Sequence, residues 1–168
     1  RVPHLDIRAP GTRQRELEFS REVAERCPVL REALTHVGHR QTRNRGTLGG
    51  SLCHLDPSAE LVTVATALDA TLIAESNAGT RRIAIADWSQ GYLTNALREG
   101  EMLTGVELPV WPAGHGHAFI EYARRHGDFA ITSAAVLIEA DAAGSLTRVS
   151  VTIGGMGTAP VRAREVEQ

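Results

Sequence analysis

The chain reads as an α+β protein on three observations. Apolar residues recur at helical spacing as far as Leu68, and from Ala70 onward they alternate as in strands. Two polar turn clusters, Ser76-Asn77-Ala78-Gly79 and Asp141–Gly144, separate alternating runs as hairpin signals. A helical block followed by a β block, without regular βαβ alternation, is the α+β pattern.

Taken in order, residues 13–26 are charged, with apolar positions at Leu17, Phe19, Val23 and Ala24, which predicts a surface helix. Pro28 restarts a helix at its first turn, where proline is tolerated. Leu30, Ala33, Leu34 and Val37 share one face of it, and Gly38 is placed to cap its C-terminus. A glycine-rich stretch follows. Asp56 is then an N-cap with Pro57 at the first helical position, opening a helix to about Leu68 with Leu61, Val62, Ala65 and Leu68 inward. Ala70–Glu75 and Arg81–Ile85 form a hairpin, and Asp87 caps a short helix holding Trp88 and Tyr92. Met102–Leu108 alternates as a strand ending at Pro109. Residues 110–116 read as a linker and domain boundary, dividing the chain into 1–112 and 113–168. Beyond it lie a strand at Ala118–Ala123 and a hairpin of Ile131–Glu139 with Ser145–Ile153.

Composition narrows the function classes. At 168 residues, with 42% apolar and 23% charged, the chain can bury a core, and 4% aromatics make that core aliphatic. A net charge of −2 gives no reason to expect nucleic acid or an anionic membrane as partner. Arg40, Arg43 and Arg45, and likewise Arg124 and Arg125, read as solvated faces. Cys27 and Cys53 make neither a metal pattern nor a disulfide framework, so reduced thiols in a cytoplasmic compartment are the simplest expectation. No run is long and apolar enough to span a membrane. The chain starts at Arg1 rather than methionine and stops at Gln168 without a turn, so a truncated N-terminus is expected.

The most informative stretch is Arg43-Asn44-Arg45-Gly46-Thr47-Leu48-Gly49-Gly50-Ser51, followed by Leu52-Cys53-His54-Leu55-Asp56-Pro57-Ser58-Ala59-Glu60. Glycines at this density let main-chain N–H groups approach a ligand, and the Thr47 and Ser51 hydroxyls add donors suited to a diphosphate. The stretch matches neither the P-loop nor the G-x-G-x-x-G fingerprint. A phosphate cradle and a plain tight turn between two elements stand as its two readings. Glu60 likewise has two: a carboxylate that reaches back to sugar hydroxyls of a ligand, or an ordinary first-turn acid favoured by the helix dipole. The seven histidines yield no metal site: His54 and Asp56 are two ligands only, His36 and His39 bracket a helix end, and His115, His117 and His126 are scattered. Ser51 near His54 lacks the strand–elbow–helix context of a hydrolase nucleophile. No catalytic side chain is assigned.

On the residues above, the chain resembles the FAD-binding (medium) subunit of the molybdenum hydroxylases, the family of xanthine and carbon monoxide dehydrogenases. Further matches run in order along the chain: Pro28-Val29-Leu30, Gly100-Glu101-Met102-Leu103, Glu107-Leu108-Pro109, Arg124-Arg125-His126-Gly127-Asp128-Phe129-Ala130, Ile153-Gly154-Gly155 and Thr158–Ala163. The resemblance implies an α+β fold of the PCMH type. Residues 1–112 would be the second lobe of a two-lobed FAD-binding domain, lacking its N-terminal lobe and that lobe's own glycine-rich FAD motif. Residues 113–168 would begin the smaller α+β flavoprotein C-terminal domain. It further implies that Thr47, Leu48, Gly49, Gly50 and Ser51 wrap the FAD diphosphate and that Glu60 bonds the ribitol or ribose region. Leu103 would line the cofactor, Phe129 would lie near the isoalloxazine ring, and Gly38 would supply a backbone contact.

What the family implies for function is an electron-transfer subunit in a three-subunit complex. A large subunit holds the molybdenum cofactor and a small iron–sulfur subunit holds two 2Fe-2S clusters. FAD on this chain passes the electrons to NAD, a quinone or oxygen. Two alternatives remain beside it: a module without cofactor that bridges the partner subunits, and a non-flavin nucleotide or phosphosugar binder using the same glycine-rich stretch.

Overall fold

In the computed structural model, which describes residues 3–9 and 11–168, the helical block and the two sheets share one core. Arg1, on which the expectation of a missing start rests, lies outside the described residues. The chain opens with strand β1 (His4–Arg8) and then six short helices: α1 (Gln14–Glu18), α2 (Arg21–Arg26), α3 (Pro28–Leu34), α4 (Arg40–Arg45), α5 (Leu48–His54) and α6 (Glu60–Ala67). Strands β2 (Thr71–Ser76) and β3 (Gly79–Ala84) form the first hairpin. A two-stranded ribbon follows, of β4 (Ser89–Gly91) and β5 (Thr94–Asn95), then β6 (Met102–Pro109). Strands β7 (Gly116–Tyr122), β8 (Thr132–Ala140), β9 (Leu146–Gly154) and β10 (Val161–Arg162) complete the chain.

The four-stranded sheets are ordered β1-β6-β2-β3 and β10-β9-β8-β7, and every pairing is antiparallel. The α+β expectation holds. Helix α6 lies at the centre: Leu61, Val62, Thr63, Val64, Ala65 and Ala67 are all buried, more than the single inward face its spacing suggests. Its hydroxyls return to its own carbonyls, Thr63 Oγ1 to Ala59 O at 3.1 Å and Thr66 Oγ1 to Val62 O at 2.9 Å, so that no polar atom opposes burial there. The second sheet is fastened to this helix by Ser150 Oγ, which donates to Ala67 O at 2.7 Å, and by Arg162, which donates to the same carbonyl at 3.0 Å and pairs with Asp69. Phe119, Ala135 and Leu137 of that sheet enter the common core.

Several expected boundaries move, each for a local reason. The helix foreseen over 13–26 is two, because Ser20 Oγ accepts from Val23 N and starts a new helix; Phe19, at the break, is exposed. Helix α3 ends with Thr35 as C-cap, so Gly38 does not cap it, although Gly38 does take a left-handed backbone at φ +46°. Helix α6 begins at Glu60 rather than at Pro57. Asp56 spends its Oδ1 on Ser58 N at 2.8 Å, a local turn that competes with the helix cap. Asp87 lies in a single 3₁₀ turn, and no helix holds Trp88 and Tyr92: Trp88 is fully buried while Tyr92 is exposed on the ribbon. Among the described residues no helix is long and apolar enough to cross a membrane.

Candidate functional site

The glycine-rich stretch is not a loop. Gly46 leaves α4 in an extended conformation, Thr47 is the N-cap of α5, and Gly49, Gly50 and Ser51 lie in the first turns of that helix. Thr47 Oγ1 accepts from Gly50 N at 2.9 Å, a regular side-chain cap. The preceding chain laces onto it: Gln14 N donates to Gly46 O at 2.9 Å and Leu48 N to Thr12 O at 3.4 Å. At the other end the α5 carbonyls are met by side chains, Leu52 O by Trp88 Nε1 and Cys53 O by Asn95 Nδ2, both at 2.8 Å. A short helix of low intrinsic propensity is thereby pinned at both termini.

The glycines have different reasons. A Cβ on Gly49 would stand 2.7 Å from the Ala9 Cβ, so this glycine is required by the packing of α5 against the end of β1. A Cβ on Gly50 would meet only the Thr47 hydroxyl, at 2.9 Å, and this residue is exposed to the site. Gly127, at φ +90°, lies directly under the His39 ring and could not carry a side chain.

A cavity of about 390 Å³ opens beside this helix. It gathers Gly38, Gly50, Ser51, Glu60 and Phe129, which come from four separate parts of the chain. The other expected contacts lie elsewhere. Leu48 and Leu103 are buried in the core, Gly49 faces Ala9, and Thr47 uses its hydroxyl as the cap. His54, Asp56 and the peptide of Gly127-Asp128 also border the space. Phe129 stands at its mouth, 79% exposed, an uncovered ring in a chain poor in aromatics.

Two residues at this site escaped the sequence reading. Gln14 is 5% exposed and lines the cavity, and its Oε1 is buried without a hydrogen-bond partner among the described residues. Arg43, read from sequence as part of a solvated face, is instead largely buried and bridges Glu18, with Nε to Oε2 at 2.8 Å and Nη2 to Oε1 at 3.3 Å. Its Nη1 also donates to Val37 O at 3.0 Å, which fixes the turn carrying Gly38 into the cavity wall. Gln14 belongs to no short motif, and Arg43 opens the glycine-rich stretch without any spacing that signals its bond to Glu18, 25 residues away.

Electrostatically the site centres on Glu60, 9% exposed. Burial pushes its carboxyl up to about 7, opposed by its own backbone N–H and reinforced by Glu121 and Asp56. Burial also raises Glu121, against the pull of His36, Glu60 and His126. Cys27 is pushed up to about 12 by burial and Cys53 is raised for the same reason, which holds both thiols in the protonated form, and neither lines the cavity. Among the described residues no group of three or more His, Cys, Asp or Glu side chains could hold a metal ion.

The donor set fits an extended, partly aromatic ligand bearing hydroxyls. An orphaned amide oxygen on Gln14, a buried carboxyl on Glu60 and a hydroxyl on Ser51 surround the space, with an open aromatic ring at its entrance.

Comparison with known proteins agrees. The family model described as the FAD binding domain in molybdopterin dehydrogenase matches residues 4–111. The model described as the CO dehydrogenase flavoprotein C-terminal domain matches residues 117–168. The chain is 40% identical over 156 residues to the 6-hydroxypseudooxynicotine dehydrogenase complex subunit alpha of Paenarthrobacter nicotinovorans, a match covering 93% of this chain and 53% of that one. It is 39% identical over 142 residues to caffeine dehydrogenase subunit beta of Pseudomonas sp. strain CBB1, covering 84% and 48%. Among solved structures, the reconstituted CO dehydrogenase from Oligotropha carboxidovorans superposes with a TM-score of 0.93 at 30% identity, covering 98% of this chain and 57% of that one. The chain spans about half the length of these relatives.

Proposed function

The chain belongs to the FAD-binding subunits of the molybdopterin dehydrogenases, and on that premise we propose that it is the flavoprotein component of a molybdenum hydroxylase complex. In this reading it accepts electrons from iron–sulfur clusters on a small partner subunit, downstream of a molybdenum-cofactor subunit, and delivers them to an external acceptor. We place its FAD-binding part at 1–112 and its C-terminal part at 113–168. A cytoplasmic location is part of the same proposal. The observation that carries the reading is the convergence of Gly38, Gly50, Ser51, Glu60 and Phe129 on one cavity, in a chain whose family is described by its FAD site.

When bound, FAD supplies the reversible electron-transfer chemistry, which no side chain here can provide. The chain's own part is to bind and orient. The Ser51 hydroxyl donates to ligand oxygens, and Gly50 leaves the helix start open where any larger residue would close it. Glu60 bonds a ligand hydroxyl from within the wall, and Phe129 covers a planar ring against water. Gln14 Oε1 accepts from a ligand donor, which removes the cost of an unpaired buried oxygen. No residue needs to act as acid or base.

A FAD titration followed by flavin absorbance tests this, on the chain alone and on its assembly with the partner subunits, with ADP as competitor. Bound flavin that ADP displaces only weakly supports the reading. ADP binding as tight as that of FAD points to a plain nucleotide site. An assembled complex without flavin leaves a bridging module.

A further inference from the structure

Behind the cavity wall the Glu60 side chain meets a second carboxyl, contributed by a different layer of the fold. Glu121 lies on β7, and strand alternation places it on the same face as Phe119, which is in the core. The Glu121 Oε2 atom is buried, and among the described residues no N–H or hydroxyl group donates to it. A carboxylate oxygen cut off from water and from every donor is costly, and the remedy at hand is a proton from its neighbour. Glu60, at the start of α6, is in side-chain hydrogen-bonding contact with it.

The surrounding charges decide which carboxyl keeps the proton. His36, from the turn after α3, and His126, from the loop after β7, face Glu121 and favour its charged form. Asp56, from the turn before α6, faces Glu60 and disfavours a charge there. Glu60 is also the more deeply buried of the two, since Glu121 is only half-buried. The proton therefore belongs on Glu60, with Glu121 as its acceptor.

We propose that Glu121 is a positioning residue of the cavity: it accepts the proton of Glu60 as a hydrogen bond, so that Glu60 faces a bound ligand as a neutral carboxyl with its second oxygen left to accept from a ligand hydroxyl. This rests on the FAD reading of the site. A ligand carrying a diphosphate then meets no net charge at Glu60. Once the pair loses its proton, two like charges face each other behind the wall and a third anion, the ligand, must bind beside them.

The test is a set of FAD titrations across neutral pH on the wild type and Glu121→Gln, with an infrared titration of the carboxyl C=O stretch on the same chains without FAD. In the wild type, affinity falls by up to roughly tenfold per pH unit as the shared proton is lost. Glu121→Gln keeps a hydrogen-bond partner for Glu60 but removes the like charge. The infrared midpoint of Glu60 then moves down by the share that the Glu121 charge adds to the burial of Glu60, and the pH at which FAD affinity falls moves with it. An unchanged midpoint and affinity profile in Glu121→Gln overturn the proposal. Should that variant fail to fold, Glu60→Gln decides the matter, since the band titrating near neutrality must vanish with it and its persistence is equally fatal. A midpoint that moves in a chain that takes up no FAD at any pH supports the proton-sharing pair and overturns the flavin reading instead.

Discussion

Arg43 grips both carboxylate oxygens of Glu18 in a pair whose side chains are only 12% and 15% exposed, and the same guanidinium holds the carbonyl of Val37. A cation that began as one of three arginines in a polar run thus joins α1 to α4 and sets the turn on which Gly38 approaches the cavity.

Breaking that pair from one side is expected to be costly in two ways. Glu18→Gln leaves a guanidinium largely out of water with half its acceptors, at a cost of about 3 kcal/mol for removal of one partner of a buried pair. Urea unfolding reads the loss. FAD affinity should drop as well, because the Gly38 turn is freed. A variant as stable as the wild type would show that the pair is merely superficial.

The two neighbouring glycines of α5 should separate structure from binding. Gly49→Ala forces a methyl group to within 2.7 Å of the Ala9 Cβ, and overpacking of this kind costs about 1–3 kcal/mol. Gly50→Ala meets only the Thr47 hydroxyl that caps α5, and should lower the melting temperature less than Gly49→Ala while lowering FAD affinity. The opposite ranking, with Gly50→Ala the less stable, would remove the packing role given to Gly49.

Much of this fold is legible from the chain because its cues are local. The hairpins β2–β3 and β8–β9 announce themselves by alternation around Asn77-Ala78 and by Asp141, whose Oδ1 accepts from Ala143 N and Ser145 N. Helix ends were less legible wherever two polar side chains could compete for the same backbone, as Asp56 shows by choosing the N–H of Ser58 over a helix cap. The site was legible only in part. Gly50, Ser51 and Glu60 lie close in sequence, whereas Gln14, Arg43 and Glu121 reach them through tertiary contacts alone. Leu48 and Leu103 illustrate the converse: their chemistry suits a cofactor wall and a core equally, and the packing of α5 on the first sheet puts both in the core.

Side-chain truncation in the cavity should follow burial. Glu60→Ala removes a buried hydrogen-bonding group from the wall and should weaken FAD binding by tenfold or more, at about 1.4 kcal/mol per factor of ten. Ser51→Ala, at a half-buried position in contact with water, should give only a modest loss. Equal affinities for Glu60→Ala and the wild type in a flavin titration would end the role assigned to Glu60.

The same carboxyl gives the chain a stability that depends on pH, with a definite sign. In the folded state Glu60 titrates near 7, and in the unfolded chain it returns to its ordinary value near 4.5. Between those values the folded protein binds more protons than the unfolded one, so this contribution is complete in acid and is lost as pH rises through neutrality. Across that window the loss is on the order of 3 kcal/mol. Glu101 works in the opposite sense: hydrogen bonds from Arg81 hold it down to about 2, so its contribution is present above the ordinary carboxylate range and fades only in acid. Stability should therefore peak in mild acid near the ordinary carboxylate value, decline from there to neutrality, and level off above it. Urea unfolding curves at a series of pH values measure this directly, and Glu60→Gln, which cannot ionise, should flatten the decline between mild acid and neutrality. A wild type whose stability is level from the ordinary carboxylate value up to neutrality would mean that Glu60 is already ionised there in the folded chain, and the buried neutral carboxyl would have to be abandoned.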